Sequence, residues 1–176
     1  FGEDLDNVDV CKPLVQTILD KADSLGNLQE LWDNDSKYKR LSFELKRYLK
    51  DRPNEKIVVF AYFRPTLHYL HERLSAEGIS SMVVLGGSVD KNEAIESFKQ
   101  PNGPNVLLAS EVASEGIDLQ FSRVVVNYDL PWNPMKVEQR IGRIDRLGQS
   151  SPQITIWNIF YADTIDARIY DRLYLR

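Results

Sequence analysis

At 176 residues, 43% hydrophobic and with a net charge of −4, the chain has the size and apolar content of one globular domain. Its single cysteine, Cys11, excludes an intrachain disulfide, and His68 and His71 lack the carboxylate or thiolate company of a metal site, so no metal is expected. No apolar run approaches membrane-spanning length and the acidic amino terminus is unlike a signal peptide; a soluble protein without a membrane partner is expected, cytoplasmic if bacterial and nuclear if eukaryotic.

The charge is unevenly placed. Residues 1–36 hold nine acidic and two basic residues, a balance of −7, which leaves residues 37–176 at +3. The first stretch is rich in Asp and Asn, with a plausible helix at 13–25 and a short apolar patch at Leu28, Leu31 and Trp32, and reads as an acidic connector with short helices. Asp35 or Ser36 can cap a following helix in which Tyr38, Leu41, Leu45, Tyr48 and Leu49 recur at helical spacing, and Asp51-Arg52-Pro53-Asn54 ends it.

From there strand alternates with helix. Apolar, β-rich runs at 57–60, 82–85, 106–109, 124–126 and 154–160 are separated by stretches long enough for helices at 65–77, 90–100 and 134–147, with a last helix starting near Thr164. Pro65 sits in a first helical turn, where proline is tolerated, and Gly78 closes that helix. The near-continuous apolar runs are those of strands buried on both sides, which calls for a mainly parallel sheet covered by helices on both faces, an α/β fold. The helical pattern is still running at Tyr174-Leu175-Arg176, so a longer protein is expected.

In open parallel sheets ligands gather beyond the carboxyl ends of the strands, and the unusual residues of this chain fall there. After the third strand, Ser110-Glu111-Val112-Ala113-Ser114-Glu115-Gly116-Ile117-Asp118 replaces the usual connection: Gly116 lets the backbone turn or approach a ligand, and Asp118 can accept from ribose hydroxyls or orient an arginine, whereas the segment taken alone reads first as an ordinary loop with a capped short helix. After the second strand, Gly87 and Ser88 can offer backbone N–H groups to a phosphate of a nucleic acid strand. After the fourth, Trp132 between prolines can stack on a base or sugar, or serve as a packing plug.

The most specific segment is Gln139-Arg140-Ile141-Gly142-Arg143-Ile144-Asp145-Arg146-Leu147-Gly148-Gln149. On a helix, Gln139, Arg143 and Arg146 share one face while Ile141, Ile144 and Leu147 lie on the other. Such a helix packs by its apolar side and presents two guanidinium forks, the group best matched to phosphate oxygens; Arg140 lies on a different side and is expected to matter less. A solvated arginine face is the alternative. No G-x-x-x-x-G-K-[ST], G-x-G-x-x-G or G-x-S-x-G occurs, and no adjacent acidic pair follows a strand, so a phosphate-cradling P-loop, a dinucleotide turn, a serine nucleophile and a magnesium site are not expected within this chain.

Laid in order, these segments resemble the carboxyl-terminal RecA-like lobe of superfamily-two helicases and translocases, and most closely the Swi/Snf-related ATPases, over about 35–173. Ile57-Val58-Val59-Phe60-Ala61-Tyr62-Phe63 looks like the fourth motif; Gly87-Ser88 through Lys91 to Phe98 looks like the "G-S…R…F" element, with lysine where arginine is usual. The segment from Ala109 to Asp118 resembles the fifth motif, with Glu115 where DEAD-box relatives have arginine. The stretch from Tyr128 to Pro134 with the arginine segment resembles the sixth; its ending Arg146-Leu147-Gly148-Gln149 favours the Swi/Snf branch, and Asp145 a bacterial-type member. Thr164-Ile165-Asp166-Ala167-Arg168-Ile169 is similar to the short signature after the last strand.

The resemblance implies a RecA-like three-layer α/β/α sandwich over 37–176, acting as second motor lobe of an ATP-dependent double-stranded-DNA translocase. ATP and Mg2+ would be held mainly by a first RecA-like lobe of the same polypeptide. Arg143 and Arg146 would face the nucleotide, Gln139, Gly116 and Asp118 would line its cleft, and Gly87, Ser88, Ser110 and Trp132 would face DNA. A protein target on DNA, such as a polymerase, is a further implied partner. A non-catalytic nucleic-acid-binding module of the same fold is the alternative.

Overall fold

The computed structural model describes residues 28–86, 91–114, 119–131, 133–145, 149 and 151–174. The expected helix at 13–25 lies outside them. Two compact units are distinguished, Phe1–Ser36 and Lys37–Arg176. In the first, the apolar patch around Trp32 forms a short helix, α1 (Leu28–Asn34).

The second unit contains α2 (Ser36–Asp51), β1 (Ile57–Phe60), α3 (Arg64–Ala76), β2 (Ser81–Val84), α4 (Lys91–Lys99), β3 (Val106–Ala109), α5 (Glu111–Ser114), β4 (Val124–Asn127), α6 (Pro134–Ile141), β5 (Thr155–Asn158) and α7 (Ile165–Tyr174). The strands form one sheet in the order β2-β3-β1-β4-β5. All four pairings are parallel, with Ile57 opposite Val106 on one side and Val124 on the other. Every residue of β1, β3 and β4 is buried, which is why these strands read as unbroken apolar runs.

Alternate strand residues feed two cores. Ile57, Val59, Leu108 and Val126 pack on one face with Tyr38, Leu41 and Leu45 of α2 and Leu67, Leu70 and Leu74 of α3. Val58, Phe60, Leu107 and Val125 pack on the other with Ile95 and Phe98 of α4 and with Ile144 beyond α6. Helices therefore cover both faces, the layered α/β arrangement that the alternation predicts.

The ends of α3 follow its sequence. Pro65 occupies the first turn, and Gly78 closes the helix with φ of 75°, in the left-handed region, while the Ile79 N–H bonds back to the Leu74 carbonyl at 2.9 Å. Edge strands differ from expectation: β2 begins at Ser81, one residue early, and β5 is confined to 155–158, because their residues are mostly half-buried and the apolar pattern blurs. The sixth helix stops at Ile141 rather than running to 147, and the backbone continues in tight turns, with Arg143 N–H to the Arg140 carbonyl at 3.3 Å and Ile144 N–H to the Ile141 carbonyl at 2.9 Å.

Away from the strand ends, Arg73 is buried with its guanidinium 3.8 Å from the Tyr38 ring centre and donates to the Tyr69 hydroxyl at 2.6 Å. Glu77 beside it accepts from Ser42 and is paired with Lys46 at 2.7 Å. Burial pushes the Glu77 carboxyl up, but the contacts from Lys46 and Ser42 outweigh it and hold it below the ordinary glutamate value. A depressed folded-state value stabilises above the unfolded one, and that contribution is lost as pH falls through the depressed value. Glu77→Gln is therefore expected to lower the melting temperature near neutral pH, with the gap to the parent closing below about pH 4; thermal unfolding across that range checks it.

Candidate active site

At the carboxyl ends of the strands a polar network is built around Arg140. Asn133 begins α6 by accepting from the Met135 N–H at 3.0 Å, with Pro134 in the first turn. The helix then buries Val137, Arg140 and, past its end, Ile144, positions three and four apart on one face. Arg140 is 1% exposed. Its Nη1 donates to Asn127 Oδ1 at 2.8 Å and to the Asp129 carbonyl at 3.1 Å, and its Nη2 reaches Glu111 Oε2 at 3.5 Å. The guanidinium lies 5.0 Å from the Phe60 ring centre. One side chain thus joins the ends of β1, β3 and β4, and Asn127 Nδ2 extends the network to Asn158 Oδ1 of β5 at 2.8 Å.

A second shell of contacts holds the loops that carry these groups. Asp129 Oδ2 accepts from the Tyr62 N–H at 3.0 Å, and Oδ1 accepts from Lys37 Nζ at 3.2 Å, so the connection after β4 is tied both to the one after β1 and to α2. Lys136 approaches Glu111 at 3.6 Å. Burial pushes the Arg140 guanidinium below its ordinary value, opposed by Glu111, Tyr62 and Asp129; burial and Glu111 push the Tyr62 hydroxyl up. Arginine keeps its charge across such a shift; the oxygens around Nη1 and Nη2 offset part of the burial, while Nε is buried without a hydrogen-bond partner.

The arrangement corrects one expectation. Arg140 is on the core face of α6, where a guanidinium replaces an apolar side chain, and Ile141 is half-buried. Gln139 is exposed and Arg143 half-buried, and the Arg143 carbonyl accepts from the Leu119 N–H at 3.3 Å, anchoring the residue to the end of the β3–β4 connection. Ser110 is buried, and its hydroxyl caps α5 by accepting from the Ala113 N–H at 3.2 Å. Arg146, Gly116, Asp118, Gly87, Ser88 and Trp132 lie outside the described residues.

Sequence reasoning missed Arg140 and its partners Glu111, Asn127 and Asp129. The available signal was Asn127 closing a Val-Val-Val run, a polar residue where a strand interior demands a partner. Beside the network, Tyr62, Phe63, Asp129, Leu130 and Asp166 line an open groove of about 440 Å3. The carboxylates of Asp129 and Asp166 make this groove unfavourable for a phosphate. Among the described residues no three His, Cys, Asp or Glu side chains gather as a cation site, and none of the helices is long and apolar enough to cross a membrane.

An all-parallel sheet covered on both faces, with a charged network at the strand ends, defines a RecA-like α/β lobe. Solved structures agree: the C-terminal part of the Fun30 ATPase domain superposes with a TM-score of 0.72 at 22% identity, covering 92% of this chain and 52% of that one. The Pyrococcus furiosus Hef helicase domain superposes at 0.65, also at 22% identity, covering 94% and 33%. These likenesses establish the fold. The chain belongs to the helicase conserved C-terminal domain family, whose pattern matches residues 37–148. It is 41% identical over 122 residues to an uncharacterized ATP-dependent helicase, YqhH, of Bacillus subtilis, covering 69% of this chain and 22% of that protein. To the RNA polymerase-associated protein RapA of Vibrio parahaemolyticus it is 39% identical over 129 residues, covering 71% and 13%. The chain thus spans about a fifth or less of these relatives' own length.

Proposed function

We propose that this chain is the second motor lobe, residues 37–176, of an ATP-dependent double-stranded-DNA translocase of the Swi/Snf branch, preceded by an acidic connector. In this reading ATP binds mainly to a first RecA-like lobe of the same polypeptide. Gln139 with Gly116 and Asp118 lines the near side of the cleft, while Gly87 and Ser88 face the DNA backbone and Trp132 stacks on a base or sugar. Closure of the lobes brings Arg143 and Arg146 to the oxygens of the transferring phosphoryl group, where planar donors stabilise the spreading charge. Hydrolysis removes that contact, and repeated closure and release moves the lobes along the duplex.

The observation that carries this reading is the burial of Val137 and Arg140 on the core face of α6, which leaves Gln139 exposed at the carboxyl ends of the strands, with Arg143 half-buried in the turn that follows. In this reading Mg2+ is held with the nucleotide, mainly by the first lobe. Because the RapA relatives are RNA polymerase-associated proteins, an RNA polymerase is a proposed partner of the longer protein.

The test compares two proteins. The isolated 176-residue chain is expected to fold yet hydrolyse no ATP above background, since it has no phosphate-cradling loop. The longer protein is expected to hydrolyse ATP with stimulation by duplex DNA. ATP turnover by the isolated chain that survives repurification and vanishes with Arg143→Ala overturns the division of labour; a longer protein with no ATPase supports a binding module instead.

A further inference from the structure

The basic charge of the sheet-bearing unit is concentrated on one helix. Residues 37–176 have an excess of +3, whereas α2 alone carries Lys37, Lys39, Arg40, Lys46, Arg47 and Lys50 against Glu44 and Asp51, a balance of +4. The remainder of the unit is therefore slightly acidic. The core face of α2 is Tyr38, Leu41, Ser42 and Leu45, and Lys37 turns to Asp129. The other five basic side chains are exposed.

These cations are not consumed by ion pairs. Arg40 and Arg47 share a single carboxylate, Glu44, at 2.9 and 2.6 Å, so one guanidinium charge is left over. Both arginines are about 70% exposed (68% and 70%), and pairs so open to solvent are held weakly and exchange readily. Lys46 is paired with Glu77, while Lys39 and Lys50 make no ion pair among the described residues. In the middle of the stripe Phe43 is 57% exposed, three and four positions from Lys46 and Lys39, with no share in either core. Along the inner edge of the same helix, Arg40 and Arg47 face Trp157, Asn158 and Phe160 across an open groove of about 450 Å3.

Cations along a helix, an exposed ring among them and an aromatic-walled groove beside them fit a sugar-phosphate strand: guanidinium and ammonium groups take phosphate oxygens, and rings pack against sugar or base. An acidic peptide matches the charge but makes no use of the aromatic walls. Lys39 to Lys50 spans about 16 Å at a rise of about 1.5 Å per residue, the length of about five phosphates of one strand. We propose that the outer face of α2, with its groove against β5, is a second nucleic-acid contact that grips the backbone of duplex DNA apart from the strand-end site. The inference rests on the reading that this protein acts on DNA, and needs nothing of the ATP chemistry.

The experiment measures duplex affinity of the longer protein against salt concentration, for the parent, for Lys39→Gln/Lys46→Gln/Lys50→Gln, and for Arg40→Gln/Arg47→Gln. Removing three phosphate contacts is expected to flatten the slope of log affinity on log salt by about 2–3 and to weaken binding at low salt at least tenfold, while ATPase at saturating DNA stays at the parent value; melting temperature stays at the parent value in Arg40→Gln/Arg47→Gln and falls modestly in the triple variant, which loses the Lys46–Glu77 pair. Variants with unchanged slope and affinity overturn the proposal and leave the translocase reading standing. So do variants that lose poly-glutamate binding but keep duplex binding, which would assign the face to an acidic protein. A parent that binds no duplex at any salt removes both the proposal and the translocase reading.

Discussion

Arg143→Lys in the longer protein is expected to lower DNA-stimulated ATP turnover by on the order of 10²–10³ while nucleotide and DNA binding stay nearly intact. Lysine keeps the charge but replaces a planar fork of donors with a single flexible ammonium, so the loss falls on the step at which charge spreads over the phosphoryl oxygens. The half-buried position of Arg143, off the core face of α6, implies little change in folding. The signature is a fall in kcat with unchanged nucleotide affinity and melting temperature. Full turnover in this variant would remove the claim that the arginine reaches the nucleotide.

Arg140→Met is expected to behave in the opposite way. It leaves Glu111, Asn127 and the Asp129 carbonyl without the donor that joins them, and removing one partner of a buried charged pair costs about 3–5 kcal/mol. Glu111 retains some solvent contact, which places the loss toward the lower end. For a chain of this size that corresponds to a fall in melting temperature of roughly 6–20 °C, measurable on the isolated chain without nucleotide or DNA. A silent Arg140→Met together with a strongly destabilised Arg143→Lys would reverse the assignment of the two faces.

Sequence reasoning succeeds on the inner strands and stops at Arg140. β1, β3 and β4 are legible because both their faces are buried, so Ile57–Phe60 or Val106–Ala109 cannot be mistaken for half-exposed strands. The edge strands blur because solvent accepts either residue type there. Arg140 escapes because an arginine between Gln139 and Ile141 reads as polar surface, and only Asn127, Asp129 and Glu111, brought together from two other connections, make its burial possible. The overrun of α6 has a local cause. Ile141, Ile144 and Leu147 continue a helical rhythm past Gly142, but the backbone tightens there, and Ile144 reaches the core from a turn. The arginine-rich motif is legible in the sequence; the buried network around Arg140 is not, because it exists only across the tertiary structure.

The sheet order also governs how the chain can be assembled. β1 is flanked by β3 and β4 and does not pair with β2, the strand that follows it in sequence, since β2 sits beyond β3. During synthesis the Ile57–Phe60 segment therefore emerges with no hydrogen-bonding neighbour until 106–109 has been made, and its other side stays open until 124–127 follows. Nothing resembling a hairpin can nucleate this lobe. Its assembly must close long loops before any strand pairing rewards them, which makes folding slow for its size and leaves the most apolar strand waiting longest for cover.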